Sequence, residues 1–135
     1  MALRISLKPG ERLLVDGTWL SNAGGRAATL AFASDAKVLH GRSTLQEADA
    51  TTPASRLAFV AQLAYVDPGN IAAYRDLFLQ HIEGLAQAIQ TSDGRDLLLR
   101  CSEAAARGDW WVAFARARDL RAYEARVLHE NARAK

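Results

Sequence analysis

Apolar and polar residues alternate with a period of two over the first 42 positions and recur at helical spacing beyond them. Leu3, Ile5 and Leu7 fall on one face, and Arg4, Ser6 and Lys8 on the other, which is the pattern of a half-buried strand. Pro9-Gly10 reads as a turn, and Arg12–Val15 as a second strand. Asp16-Gly17 predicts a two-residue hairpin, because both central residues of a type I′ turn need positive φ. Thr18–Leu20, Thr29–Phe32 and Lys37–His40 complete a set of five short strands. The turns between these three are Asn22 to Gly25 and Ser34-Asp35. Such a chain predicts a small antiparallel sheet or partial barrel.

From Thr44 the period changes. Thr44 with Glu47 three residues on has the form of a capping box and predicts a short helical turn. Thr52 before Pro53 is a second start signal, with proline at the first helical position. Leu57, Val60, Ala61 and Ala64 follow at helical spacing, and Phe59, Leu63 and Val66 widen the stripe, so this helix is expected to be deeply buried. Asp67-Pro68 opens the next helix, which carries Ile71, Tyr74, Leu77, Phe78, Leu85 and Ile89 along one side. Ser92-Asp93-Gly94 reads as a loop before a third helix, roughly Asp96–Arg107, that stops at Gly108. Asp109 caps a fourth, from Trp110 to about Asn131, and the tail after Glu130 is expected to fray. The fold class is therefore α+β. A head of about five short antiparallel strands (1–43) precedes a bundle of about four helices (44–135), and the two are expected to behave as one cooperative unit.

Composition narrows the setting. A chain of 135 residues can bury about two-thirds of the surface exposed when it is unfolded, enough for a core without metal or disulfide staples. The single cysteine, Cys101, has no internal partner, which suits a reducing compartment. The charged N-terminal segment has no signal-peptide pattern, and no uncharged run approaches the ~18 residues of a membrane span. A cytoplasmic location with no membrane partner is expected. The net charge is only +2, so no bulk field draws the chain onto nucleic acid.

Motifs for chemistry are missing from the sequence. His40, His81 and His129 lack ligand spacing with Cys101 or with a carboxylate, and no phosphate loop or nucleophile elbow occurs. The expectation is a non-enzyme without metal or cofactor that acts by binding. Cys101, between Leu98 and Ala105 on an apolar face, is expected to be a small buried hydrophobe. Residues 112–135 hold six basic side chains against three acidic ones, but Asp119 and Glu124 interrupt them, so a solvated, ion-paired helix face is expected. The head offers a better cationic surface. Arg4 and Lys8 project from the first strand and turn, and Arg42 ends the fifth strand; these cations converge if the first and last strands approach. A phosphate backbone needs fixed cations of this kind, and splayed bases need a platform or strand edge.

Three separated segments carry a resemblance: ALRISLKPGERLLVDG (2–17), TPASRLAFVAQLAYVDPGN (52–70) and GDWWVAFARARDLRAYE (108–124). Together they resemble the FlbT family of flagellum-biosynthesis regulators over roughly residues 2–125. The Trp110-Trp111 pair stands where the family is expected to carry tyrosines or similar aromatics, and His40-Gly41-Arg42 at a strand end expected to be more charged. The resemblance implies a post-transcriptional repressor of flagellin synthesis that associates with the 5′ untranslated region of flagellin mRNA and promotes its decay. It also implies a small FlaF-like partner, and, as an alternative, a flagellin-binding, chaperone-like role that couples secretion to synthesis. The head is also similar, over about 45 residues, to the carbon storage regulator family. Lys8-Pro9-Gly10-Glu11 matches that family's first turn and Val38–Arg42 its RNA-gripping last strand, which implies RNA contacts at Arg4 and Arg42 and a strand-exchanged homodimer. For the flagellin alternative, the candidate partner-binding surface is Trp110, Trp111, Phe114 and Tyr123 on the last helix.

Overall fold

The computed structural model of the protein describes residues 3–33, 36–41 and 44–134, with side chains as far as Glu130. Two compact units divide the chain, Met1–Thr44 and Leu45–Lys135. The α+β architecture expected from the periodicity is the one observed, with five antiparallel strands followed by four α-helices.

In the first unit, β1 (Leu3–Leu7), β2 (Arg12–Val15), β3 (Thr18–Ser21), β4 (Ala28–Phe32) and β5 (Val38–His40) form two sheets. β1 pairs with β4, Leu3 opposite Phe32 and Leu7 opposite Ala28. β2 is the centre of the other sheet, between β3 and β5. Leu7, Leu13 and Val38 form the buried cluster, with Ile5, Val15, Leu30 and Phe32 packed against it. Alternation therefore places one face of β1, β2 and β4 inward. Leu14 and Leu39, opposite each other on the other face of β2 and β5, are buried as well.

The tight turns follow their sequences. Asp16 and Gly17 have φ of 47° and 83°, the two positive values a type I′ hairpin requires. Glu11 N–H donates to the Lys8 carbonyl at 3.0 Å across Pro9 and Gly10. Gly10 has φ +80°, so this turn has the type II pattern. Gly41 serves close approach: a Cβ there would lie 2.8 Å from the Arg12 carbonyl oxygen. The Ser34-Asp35 turn lies outside the described residues.

In the second unit, α1 (Pro53–Val66), α2 (Ile71–Ala88), α3 (Ser92–Ala106) and α4 (Trp110–Ala134) pack in a ring, each on the next and α4 back on α1. α1 is buried on most of its circumference, as its widened stripe predicts. Ala54, Ala58 and Ala61 of α1 and Ala113 and Ala117 of α4 are wholly inaccessible, so small side chains line two helices that pack on each other. Phe78, Leu98, Phe114 and Leu120 fill the remaining core. Thr52 caps α1, its hydroxyl accepting from Ser55 N–H.

Two sequence expectations need correction here. The turn near Thr44 exists, but it spans Glu47–Asp49, and Gln46 N–H donates to the Asp49 carboxylate at 2.9 Å. The Thr44 hydroxyl donates instead to the His40 carbonyl. The segment 92–94 is not a loop but the first turn of α3, capped by Thr91, whose hydroxyl accepts from Gly94 N–H at 3.1 Å. Gly94 is required by packing: a Cβ would stand 2.6 Å from Ile89 and 2.8 Å from the Tyr123 ring. A glycine that elsewhere marks a break here lets a helix start against a neighbour's aromatic side chain.

Candidate functional site

The head concentrates the chain's positive charge. Residues 1–44 contain six basic and three acidic residues, while residues 45–135 contain eleven basic and twelve acidic, so the first unit is +3 and the second −1. Local structure sharpens that difference. Glu11 Oε1 accepts from Lys8 N–H at 2.7 Å, and Asp16 Oδ1 accepts from Lys37 N–H at 2.8 Å. Both carboxylates are thus folded onto backbone donors at turns. Glu11 Oε2 also lies 3.6 Å from His40 Nε2, an ion pair when the imidazole is protonated. The side chains of Arg4, Lys8, Arg12 and Arg26 are exposed.

Arg4 sits opposite Ala31 on the outer face of the β1–β4 sheet, beside the exposed Ser6 and Thr29. Lys8 occupies the first position of the β1–β2 turn. β1 and β5 are not ladder neighbours, since β4 takes β1 and β2 takes β5. The third predicted cation, Arg42, lies outside the described residues. Reading the sequence for cations alone passed over Trp19. It stands on the edge strand β3, is 38% exposed, and has the Arg12 guanidinium 4.5 Å from its ring centroid. Only pairing reveals this arrangement: Arg12 faces Ser21, and Trp19 faces Leu14, so the two meet along the diagonal of one face.

Three arginines of α4 are engaged along their own helix. Arg116 Nη1 donates to Asp119 Oδ2 at 3.0 Å, Arg118 lies over Phe114, and Arg126 over Tyr123. Of these, Arg116 has the ion pair expected on this face, and Arg118 and Arg126 rest on aromatic rings instead.

The aromatic residues proposed for partner binding separate. Trp110 is buried and meets Phe78 edge to face at 5.3 Å, and Phe114 is 1% exposed. Trp111 is 44% exposed and stacks obliquely with Tyr65 at 5.2 Å. Tyr123 follows Trp111 by twelve positions, roughly 18 Å along the helix axis. It borders a different feature, an apolar pocket of about 330 Å³ between the start of α1, the end of α2 and α4, lined by Pro53, Leu85, Ile89, Leu120, Tyr123 and Leu128. The Tyr123 and Thr91 hydroxyls are hydrogen-bonded, and Glu124 Oε2 accepts from Ala54 N–H at 3.0 Å, a carboxylate placed at the positive end of α1. Glu124 and Leu128 also line a shallower depression of about 200 Å³ with Asp49, Ser55 and Arg121. No periodicity argument reveals a pocket made by two helix ends and the side of a third helix.

Titration adds little chemistry. Burial, then the Asp119 charge, pushes the Cys101 thiol up to about 12, so it is neutral and inert near pH 7. Asp67 is held below the usual carboxylate range by hydrogen bonds from Asn70 and Tyr74, both ordering the entry to α2. Among the described residues no three His, Cys, Asp or Glu side chains are grouped to hold a metal, and no helix is long and apolar enough to cross a membrane.

Exposed cations with an aromatic on a strand edge, and an apolar pocket on a separate helical unit, are features of a binding protein. The family model described as flagellar protein FlbT matches residues 3–128, and the chain belongs to that family. Among its relatives are proteins named probable flagellum biosynthesis repressor protein FlbT. The one from Agrobacterium fabrum is 30% identical over 126 residues, covering 93% of this chain and 83% of its own. The one from Rhizobium johnstonii is 31% identical over 129 residues, covering 96% and 85%. That of a Caulobacter species is 31% identical over 93 residues, covering 69% and 70%. No solved structure matches the chain.

Proposed function

We propose that this protein is a post-transcriptional repressor of flagellin synthesis that associates with the 5′ leader of flagellin mRNA through its β head and promotes decay of that message. Family membership and the repressor name of the relatives support a role in restraining flagellum biosynthesis. The observation that carries the RNA reading is the partition of charge. The head has the excess of cations, and its described carboxylates are turned onto backbone N–H groups. Released counterions would supply most of the affinity, so binding weakens steeply with salt. In this reading the protein acts in the cytoplasm, a FlaF-like protein joins the same regulatory step, and a homodimer presents two heads to one leader.

The test is titration of labelled flagellin leader RNA across a salt series, with purified flagellin as competitor. Charge reversal at Arg4, Lys8 and Arg42 together is expected to abolish leader binding while the circular dichroism spectrum stays unchanged. Undiminished affinity in a folded triple variant rejects the head as the RNA surface.

The apolar pocket favours a second reading, in which flagellin itself is the ligand and mRNA control is indirect. An amphipathic helix can place its apolar side chains in such a depression. A flagellin complex that persists at high salt, and that Tyr123→Ala weakens, selects this reading. If neither Trp111→Ala nor Tyr123→Ala alters that complex, flagellin docks elsewhere.

A further inference from the structure

The most unusual side chain of the head is Trp19. Its strand is an edge strand with every residue exposed, yet it carries a large aromatic and the half-exposed Leu20. Edge strands are ordinarily blunted by charge or proline, and an exposed indole on one has a cost in solubility that a ligand would repay. The same face supplies the exposed Arg12, whose guanidinium lies over the indole. A planar cation against an aromatic ring makes a two-layer platform of one charge, with a second planar surface beside it. The occupant that fits is flat, aromatic and attached to an anion. An unstacked base of single-stranded RNA has these properties: its ring stacks on the guanidinium or indole, and its phosphate meets the cation. The +3 charge of the unit complements such a chain.

We propose that Trp19 and Arg12 form a base-stacking subsite for single-stranded RNA on the outer edge of the head. This rests on the RNA reading above and adds a second kind of contact to it. Arg4 and Lys8 would neutralise phosphates and set the salt dependence. The Trp19–Arg12 pair would hold a base, and the share of the affinity that comes from stacking on the indole would be nearly independent of salt. The subsite accepts any base, because every base has a π-face, but it rejects a duplex, whose bases are already stacked.

The experiment compares wild type, Trp19→Ala, Trp19→Phe and Arg12→Lys for binding to a fluorescent single-stranded RNA dodecamer, to the same oligonucleotide with abasic sites, and to its duplex. Loss of one stacked base is worth about 1–3 kcal/mol, so Trp19→Ala should weaken single-strand binding about 5- to 150-fold. The slope against salt should stay unchanged. Trp19→Phe should keep most of the affinity, which separates stacking from loss of fold. Arg12→Lys should weaken binding while conserving charge. The abasic oligonucleotide should bind wild type and Trp19→Ala alike. If wild type binds the dodecamer and Trp19→Ala binds it within twofold, the subsite is wrong and the RNA reading stands. If wild type binds no RNA at low salt, both fall.

Discussion

The two units hold themselves together in opposite ways. In the helical unit, α1 is buried around most of its surface, and alanines let α4 lie close against it. In the head, every residue of β3 is exposed, and among the described residues only Leu7, Leu13, Leu14, Val38 and Leu39 are buried. The helical unit can therefore draw its stability from apolar burial, while the head depends on ladders, turn geometry and a few close backbone contacts. The difference bears on function. The head leaves the outer face of β1 and β4 and the edge strand β3 exposed to ligands, and its exposed cations Arg4 and Lys8 stand there. The helical unit buries a continuous core and leaves an apolar pocket between the start of α1, the end of α2 and the middle of α4.

The largest effect that would sharpen this contrast is expected in the core. Phe114→Ala empties a site that is 1% exposed, and should cost about 3–5 kcal/mol in urea denaturation. A cost below 1 kcal/mol would mean that α4 is not held by its core. Next is Gln62, which is 4% exposed. Its carbonyl accepts from Leu45 N–H, and its amide donates to the Leu45 carbonyl, both at 2.8 Å, so one side chain satisfies a buried stretch of backbone. Gln62→Leu leaves two buried polar groups without partners and should cost about 2–4 kcal/mol by the same assay.

In the head the sensitive position is backbone rather than core. Gly41→Ala brings a methyl group against the Arg12 carbonyl and should cost about 1–3 kcal/mol, separating β5 from β2. Amide exchange reads this directly: the Leu14 and Asp16 amides, which face β5, should lose protection in the variant, and in the wild type α1 amides should outlast those of β3. Equal protection of α1 and β3 would remove the contrast between the units.

The smallest expected effect is on acidification. Burial, with the Arg56 charge adding to it, lowers the His81 pKa below 6.5. The unfolded chain then binds the proton more readily than the folded one, so this contribution is complete above the unfolded pKa and is lost as pH falls through the folded value. Asp67, also lowered, acts with the same sign but only in the acid range below 3.8. Melting temperature should therefore dip modestly between pH 7 and pH 5, and His81→Gln should flatten that dip. An unchanged dip in His81→Gln would assign it to another group.

Much of this fold was legible locally. The Asp16-Gly17 hairpin, the Pro9-Gly10 turn, the Thr52-Pro53 start of α1 and the Gly108 stop of α3 (φ +75°) each follow from constraints on one or two residues. Adjacent helical positions diverge by about 100°, so Trp110 and Trp111 could not both point squarely into one core, but which of them is exposed was not legible. Less was legible about the candidate site. Arg4 and Lys8 could be chosen by alternation, but Trp19 and Arg12 become a pair only through the β2–β3 register. Gly94 looked like a loop residue because the reason for it, the Tyr123 ring, lies 29 positions away in the chain.

The sequence by itself determined the order and type of the strands and helices and several of their turns, since turn geometry, capping and hydrophobic period act over a few neighbouring residues. Which strand pairs with which, which aromatics are exposed and where the helices leave a pocket were decided by the tertiary structure. Those outcomes depend on contacts between residues distant in sequence, and a cation or an indole carries no local signal of what it will face.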